Sequence, residues 1–142
     1  MKFITSSFVL LTALFLSTAS WAQAPGKALA AGSSYDVRLL IREPDPALGN
    51  ASFKPSARLR GLQGDDGVVY WLSADRQTIT AYQGKKTLWA ANVASALPKN
   101  APGPLTVRQM AWCSNALFFS VGESGYVELD RQSGKVNQAG ID

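Results

Sequence analysis

The sequence predicts an all-β protein built from antiparallel meanders. Three observations carry that expectation. Residues 67–89 read GVVYWLSADRQTITAYQGKKTLW, which is an apolar run, a turn, an alternating run, a second turn and the start of a third run. A weaker copy of the same order follows in residues 105–137. Beyond the amino-terminal leader, no segment has the length and apolar period of an amphipathic helix.

The central run comes first. Val68, Val69, Tyr70, Trp71 and Leu72 follow one another without a polar interruption. A strand with one wet face would alternate, so this run is expected to be buried on both faces. Its β-branched and aromatic residues, and its shortness, favour strand over helix. The same reasoning expects Leu117, Phe118 and Phe119 to be buried in the second copy. Residues 73–77 supply turn chemistry, and residues 78–82 alternate as a second strand should. Gln83, Gly84, Lys85 and Lys86 turn the chain again, and Thr87, Leu88 and Trp89 open a third strand.

Composition bounds the rest. The chain has 142 residues, enough for one domain with a modest core. Hydrophobic content of 46% against 17% charged residues marks a folded rather than a disordered chain. The net charge of +4 is scattered over single Lys and Arg residues, with Lys85 and Lys86 the one adjacent pair, so no nucleic-acid partner is expected. Histidine is absent, which removes His-based triads, His general bases and ordinary His-ligated zinc. No metal site, catalytic set or cofactor is expected.

Residues 1–24 read as a cleaved signal helix. Lys2 gives a positive start, and residues 8–16 form an apolar core too short to span a bilayer, which needs about 20 residues. Cleavage after Ala22 or Ala24 fits the small residues there, so a secreted or periplasmic location without a stable membrane anchor is expected, with a retained membrane anchor as the competing reading. Cys113 is the only cysteine, so no internal disulfide forms, and it reads as a small buried hydrophobe.

In chain order, residues 25–34 are expected to be a small, flexible segment and residues 35–142 a single β domain. Residues 35–43 alternate, with Val37, Leu39 and Ile41 on one face of a half-buried strand. Pro44 and Pro46 end it, and a loop runs to about Pro55. Asn50 opens a formal glycosylation sequon, a triplet common by chance. Residues 57–62 form another strand, and Asp65 and Asp66 lie in a plain turn, lacking the spacing of a calcium loop. Residues 90–97 close a strand or make one helical turn, and Pro98, Pro102 and Pro104 mark a loop.

The two copies, about 57–93 and 105–137, align residue by residue. Leu59 and Arg60 answer to Val107 and Arg108, and Leu62 answers to Met110. Residues 68–71 answer to 116–119, residues 80–82 to 127–129, and Gly84 and Lys85 to Gly134 and Lys135. Each copy holds four short strands. Four strands in about 45 residues is the spacing of propeller blades.

Residues 125–136, reading GYVELDRQSGKV, resemble the closing hairpin of PQQ-type β-propeller repeats, whose blades end in an "ALD…TGK…LW"-like stretch. Residues 82–89, reading YQGKKTLW, resemble it in the first copy. The likeness covers residues 57–137 and implies two propeller-blade-like four-stranded units. The sequence departs from that family in showing only two blades and in placing Asn137 where the first copy has Trp89. The paired cysteines and acidic base of quinoprotein dehydrogenases have no counterpart, so the resemblance implies a repeat fold and neither an active site nor a quinone.

The function expected on this basis is an exported, non-enzymatic binding or scaffold module whose partner is a protein or a carbohydrate. Trp71, Trp89, Trp112, Tyr82 and Tyr126 are the candidate ligand-binding aromatics, with core packing between sheets as the competing reading. The alternatives are a secreted hydrolase-type enzyme pairing carboxylates among Asp75, Glu123, Glu128 and Asp130, or a truncated propeller fragment without independent function. Sheets apolar on both faces must cover an outer face. Either residues 35–43 fold back as a lid, or copies of the chain assemble as a homo-oligomer.

Overall fold

The computed structural model describes residues 35–42 and 51–142. The expected leader, the segment 25–34, Pro44, Pro46 and Asn50 lie outside those residues. The all-β class holds. Among the described residues the strands are, in chain order, β1 (Leu40–Arg42), β2 (Ala51–Phe53), β3 (Gly61–Gln63), β4 (Val69–Leu72), β5 (Thr78–Gln83), β6 (Lys86–Asn92), β7 (Val107–Trp112), β8 (Ala116–Val121), β9 (Gly125–Asp130) and β10 (Val136–Ile141). Two single-turn 3-10 segments, Val37–Leu39 and Ala94–Ala96, are the helical elements among them.

The strands form two sheets of five, in the orders β1-β3-β4-β5-β6 and β10-β9-β8-β7-β2. Each contains a four-stranded antiparallel meander, β3–β6 in the first and β7–β10 in the second. The four-stranded units expected from the sequence therefore each gain a strand. β1 joins β3 in parallel, and β2 joins β7 antiparallel. β1 falls within the strand expected over residues 35–43, whereas β2, three residues long, is too short for a periodic signal and lies in the loop expected through Pro55.

One apolar core lies between the sheets. Leu62, Tyr70, Leu72, Ile79 and Ala81 enter it from the first sheet, and Val107, Met110, Leu117, Phe119, Val127 and Leu129 from the second. Burying one such side chain contributes about 1.5–3 kcal/mol. In β4 the expectation of burial on both faces holds for Val69, Tyr70 and Leu72, while Trp71 is half-buried. In β8 it fails at Phe118, which is 39% exposed. Leu117, Phe119 and Val121 point inward there, and Phe118 and Ser120 point outward, so β8 alternates despite its apolar sequence.

The strand expected over residues 35–43 is also corrected. Asp36 Oδ1 accepts the Arg38 backbone N–H at 3.0 Å, and this cap winds Val37–Leu39 into a 3-10 turn. Val37 is left 70% exposed, and extended pairing begins only at Leu40. The strand expected over 57–62 begins at Gly61, after a turn closed by the Ser56–Leu59 bridge.

Candidate functional site

One residue makes several of the contacts across the seam between the sheets. Arg131 follows β9, is 5% exposed, and donates from Nε to the Tyr70 hydroxyl at 3.1 Å and from Nη1 to the Cys113 carbonyl at 2.9 Å. Its guanidinium carbon lies 5.1 Å from the centroid of the Tyr70 ring. Trp89 Nε1 donates to the Arg131 carbonyl at 3.2 Å, and the Trp89 ring lies 5.9 Å from that of Tyr70. The turn below is shaped for this contact. Asp130 accepts from the Ser133 amide and hydroxyl at 2.7 and 2.6 Å, and Gly134, at φ +68°, brings bare backbone against the indole of Trp89. Those hydrogen bonds, that from the Ser133 hydroxyl foremost, hold the Asp130 carboxyl below its ordinary range.

A second link crosses from a strained turn. Arg76 has φ 58°, rare for a residue with a side chain, and its carbonyl accepts the Val107 N–H at 2.8 Å. The Ser73 hydroxyl and Asp75 carboxylate bond within that turn, and Asp75 is held below its ordinary range, chiefly by Ser73.

The structure does not gather the sequence-predicted aromatics into one platform. Trp112 is 3% exposed and packs on Phe53 with ring centroids 6.2 Å apart, so it is a core residue. Trp89 belongs to the seam. Trp71 and Tyr82 share the outer face of the first sheet. There Trp71 lies against Gly61, the Arg60 guanidinium sits 5.2 Å over its ring, and Tyr35 packs on Tyr82 at 5.6 Å. Burial lowers the Arg60 pKa, assisted by the neighbouring charge of Arg76. Tyr126 lies on the opposite end of the molecule, the outer face of the second sheet.

That outer face holds the most exposed aromatic side chain among the described residues, Phe118, and sequence reasoning placed it in the core. Ser52, Ala111, Phe118, Glu128 and Gln138 form one row across β2, β7, β8, β9 and β10. Gln109, Ser120, Tyr126 and Gly140 form the next. Gly140 leaves room for the Tyr126 ring to lie against the backbone, and the Tyr126 hydroxyl accepts from Gln138 Nε2 at 3.3 Å. Asn137 Nδ2 donates to Glu128 Oε1 at 3.1 Å, and Gln109 Nε2 donates to Ser52 Oγ at 3.1 Å. A bulge between Val107 and Gln109 breaks the alternation at Arg108. Arg108 and Gln109 line an open cleft of about 300 Å³ with Lys54, Ser120, Gly122 and Glu123.

The face thus presents aromatic rings among amide, hydroxyl and carboxylate groups, a mixture suited to binding by contact and hydrogen bonding. Of the carboxylates considered for hydrolysis, Asp75 and Asp130 are engaged in their own turns, Glu128 lies on this face and Glu123 lines the cleft. No group of three or more His, Cys, Asp or Glu side chains able to hold a metal occurs among the described residues. No family model matches the chain, and no curated protein matches it.

Proposed function

We propose that this chain is an exported, non-enzymatic binding or scaffold module whose working surface is the outer face of the second sheet. The observation that carries the reading is Phe118. It stands 39% exposed beside half-buried Tyr126, within a ring of hydrogen-bonding side chains, at a position where the first sheet buries Tyr70. Aromatic side chains are enriched at interfaces relative to the rest of the protein surface.

The two sheets are blade-like copies in this reading. Its support is their shared pairing: Tyr70 opposite Ala81 and Trp71 opposite Thr80 in the first, Phe118 opposite Glu128 and Phe119 opposite Val127 in the second. The sequence alignment of the copies shifts in one strand. Tyr70 pairs with Leu62, whereas Phe118 pairs with Ala111, so Leu62 answers to Ala111 and the β7 bulge supplies the extra residue. Export rests on the leader in residues 1–24.

Binding of the purified protein to a panel of glycans and extended peptides, repeated with Phe118→Ala and Tyr126→Ala, tests the proposal. Binding that both variants weaken while the fold is kept supports it. Binding indifferent to both, or turnover of glycosides or esters, contradicts it.

A further inference from the structure

The two sheets stack in the same direction rather than face to face. In a two-fold sandwich, equivalent faces meet, and Tyr70 and Phe118 would both be inside. Here Tyr70 is 2% exposed and Phe118 39%. Likewise Leu72 is fully buried while Ser120 is exposed, and Ala81 is fully buried while Glu128 is half-buried on the outer face. The inner face of the first sheet is therefore the counterpart of the outer face of the second. Conversely, Val69, Trp71 and Tyr82 on the outer face of the first sheet are the counterparts of Leu117, Phe119 and Leu129 in the core. The chain ends in two unlike faces, each matching one side of its own internal interface.

We propose that these two ends bind each other between molecules, so that the outer face of the second sheet docks the outer face of the first sheet of a second copy. The proposal rests on the binding-surface reading above and names the occupant. Geometry and charge both point to it. The stack inside the chain already shows faces of this kind meeting. Charge then favours unlike over like pairing. The outer face of the second sheet carries Glu128, with Glu123, Arg108 and Lys54 at its cleft, and that of the first carries Arg60 over Trp71, with Arg42 beside Gln63. Pairing two copies of the first sheet's outer face would bring the Arg42 and Arg60 cations of each copy together.

Ser120, Glu128 and Gln138 stand where the internal interface has Leu72, Ala81 and Trp89, so the strand pairing sets Gln138, rather than the Asn137 expected from the sequence, in the place of Trp89. The contact between molecules is consequently more polar than the one within, as in reversible rather than obligate assemblies. Such a heterologous contact closes into a ring if the rotation fits, and otherwise extends as a filament.

Sedimentation velocity over a concentration series tests this, using the purified protein with Phe118→Lys on one face and Thr80→Lys on the other, each checked for an unchanged fold by circular dichroism. The expected result is concentration-dependent association that either variant weakens by about tenfold or more. Mixing the two variants then yields a dimer and nothing larger, because each supplies the face the other lacks. A protein that stays monomeric at every concentration overturns the inference, as does association that survives both variants or a mixture that stays monomeric. A monomer that nevertheless binds a glycan or peptide through Phe118 overturns the self-contact while leaving the binding-surface reading in place.

Discussion

Tyr70 and Phe118 occupy the same place in the pairing of their sheets and meet opposite surroundings. Each lies in the second strand of a four-stranded meander, Tyr70 between Leu62 and Ala81, Phe118 between Ala111 and Glu128. Tyr70 points at Arg131, in the turn after β9 of the other sheet and 3.1 Å away at its Nε, while Phe118 points away from the core. This fixes the sense of the stack.

Removing the Tyr70 hydroxyl takes one acceptor from a buried guanidinium. Tyr70→Phe is expected to cost roughly 1.5–3 kcal/mol, the range for a hydrogen bond to a charged group. A double-mutant cycle with Arg131→Met, measured by urea unfolding, is expected to show a coupling of roughly 0.5–3 kcal/mol. Additive losses would contradict the seam as described.

Neighbouring phenylalanines are expected to respond unequally. Phe119, 2% exposed, should cost roughly 3–5 kcal/mol on truncation to alanine. Phe118→Ala should cost under about 1 kcal/mol, as at other surface positions. Equal losses in chemical denaturation would place both side chains in the core.

The contrast also shows what was readable in the sequence. Turn residues and strand order in both meanders were legible, since Gly84, Gly134 and the alternation of 78–82 follow local rules. The facing of β8 was not. Apolar Phe118 reads as core when only its own strand is considered, and its exposure arises because no third sheet lies beyond it in the chain as described. Among the candidate aromatics, nothing local separates Trp112, pinned on Phe53 of β2, from Tyr126 on the open face. Arg131 was equally hidden, for its sequence neighbours are ordinary turn residues and its partners lie in Tyr70 and Cys113.

Two glycines of positive φ separate backbone strain from packing. A Cβ at Gly67, φ +79°, meets nothing within 4 Å, so Gly67→Ala should cost only the left-handed backbone, about 1–2 kcal/mol. A Cβ at Gly134, φ +68°, meets the indole of Trp89. Gly134→Ala is therefore expected to cost more and to alter tryptophan fluorescence. Thermal unfolding of both variants decides it, and equal costs with unchanged emission would remove the Trp89 contact from the seam.

Acid should loosen the turn at Val37–Leu39. The side-chain hydrogen bond from Arg38, with its backbone N–H, lowers the Asp36 pKa from 3.8 to about 2. The folded value lies below the unfolded one, so the carboxylate supports the turn fully above pH about 4, and that support fades as pH falls toward about 2. Carboxyl NMR titration should show the low value, and Arg38→Ala should return it toward 3.8. An Asp36 that titrates at its ordinary value in the unaltered protein would remove the cap.

Hydroxyl-radical footprinting of dilute protein, read by mass spectrometry, tests the directional stack most directly. Phe118 should be oxidised readily while Tyr70, Phe119 and Trp112 are protected, matching exposures of 39% against 2%, 2% and 3%. Protection of Phe118 equal to that of Tyr70, in protein dilute enough to be monomeric, would contradict the arrangement.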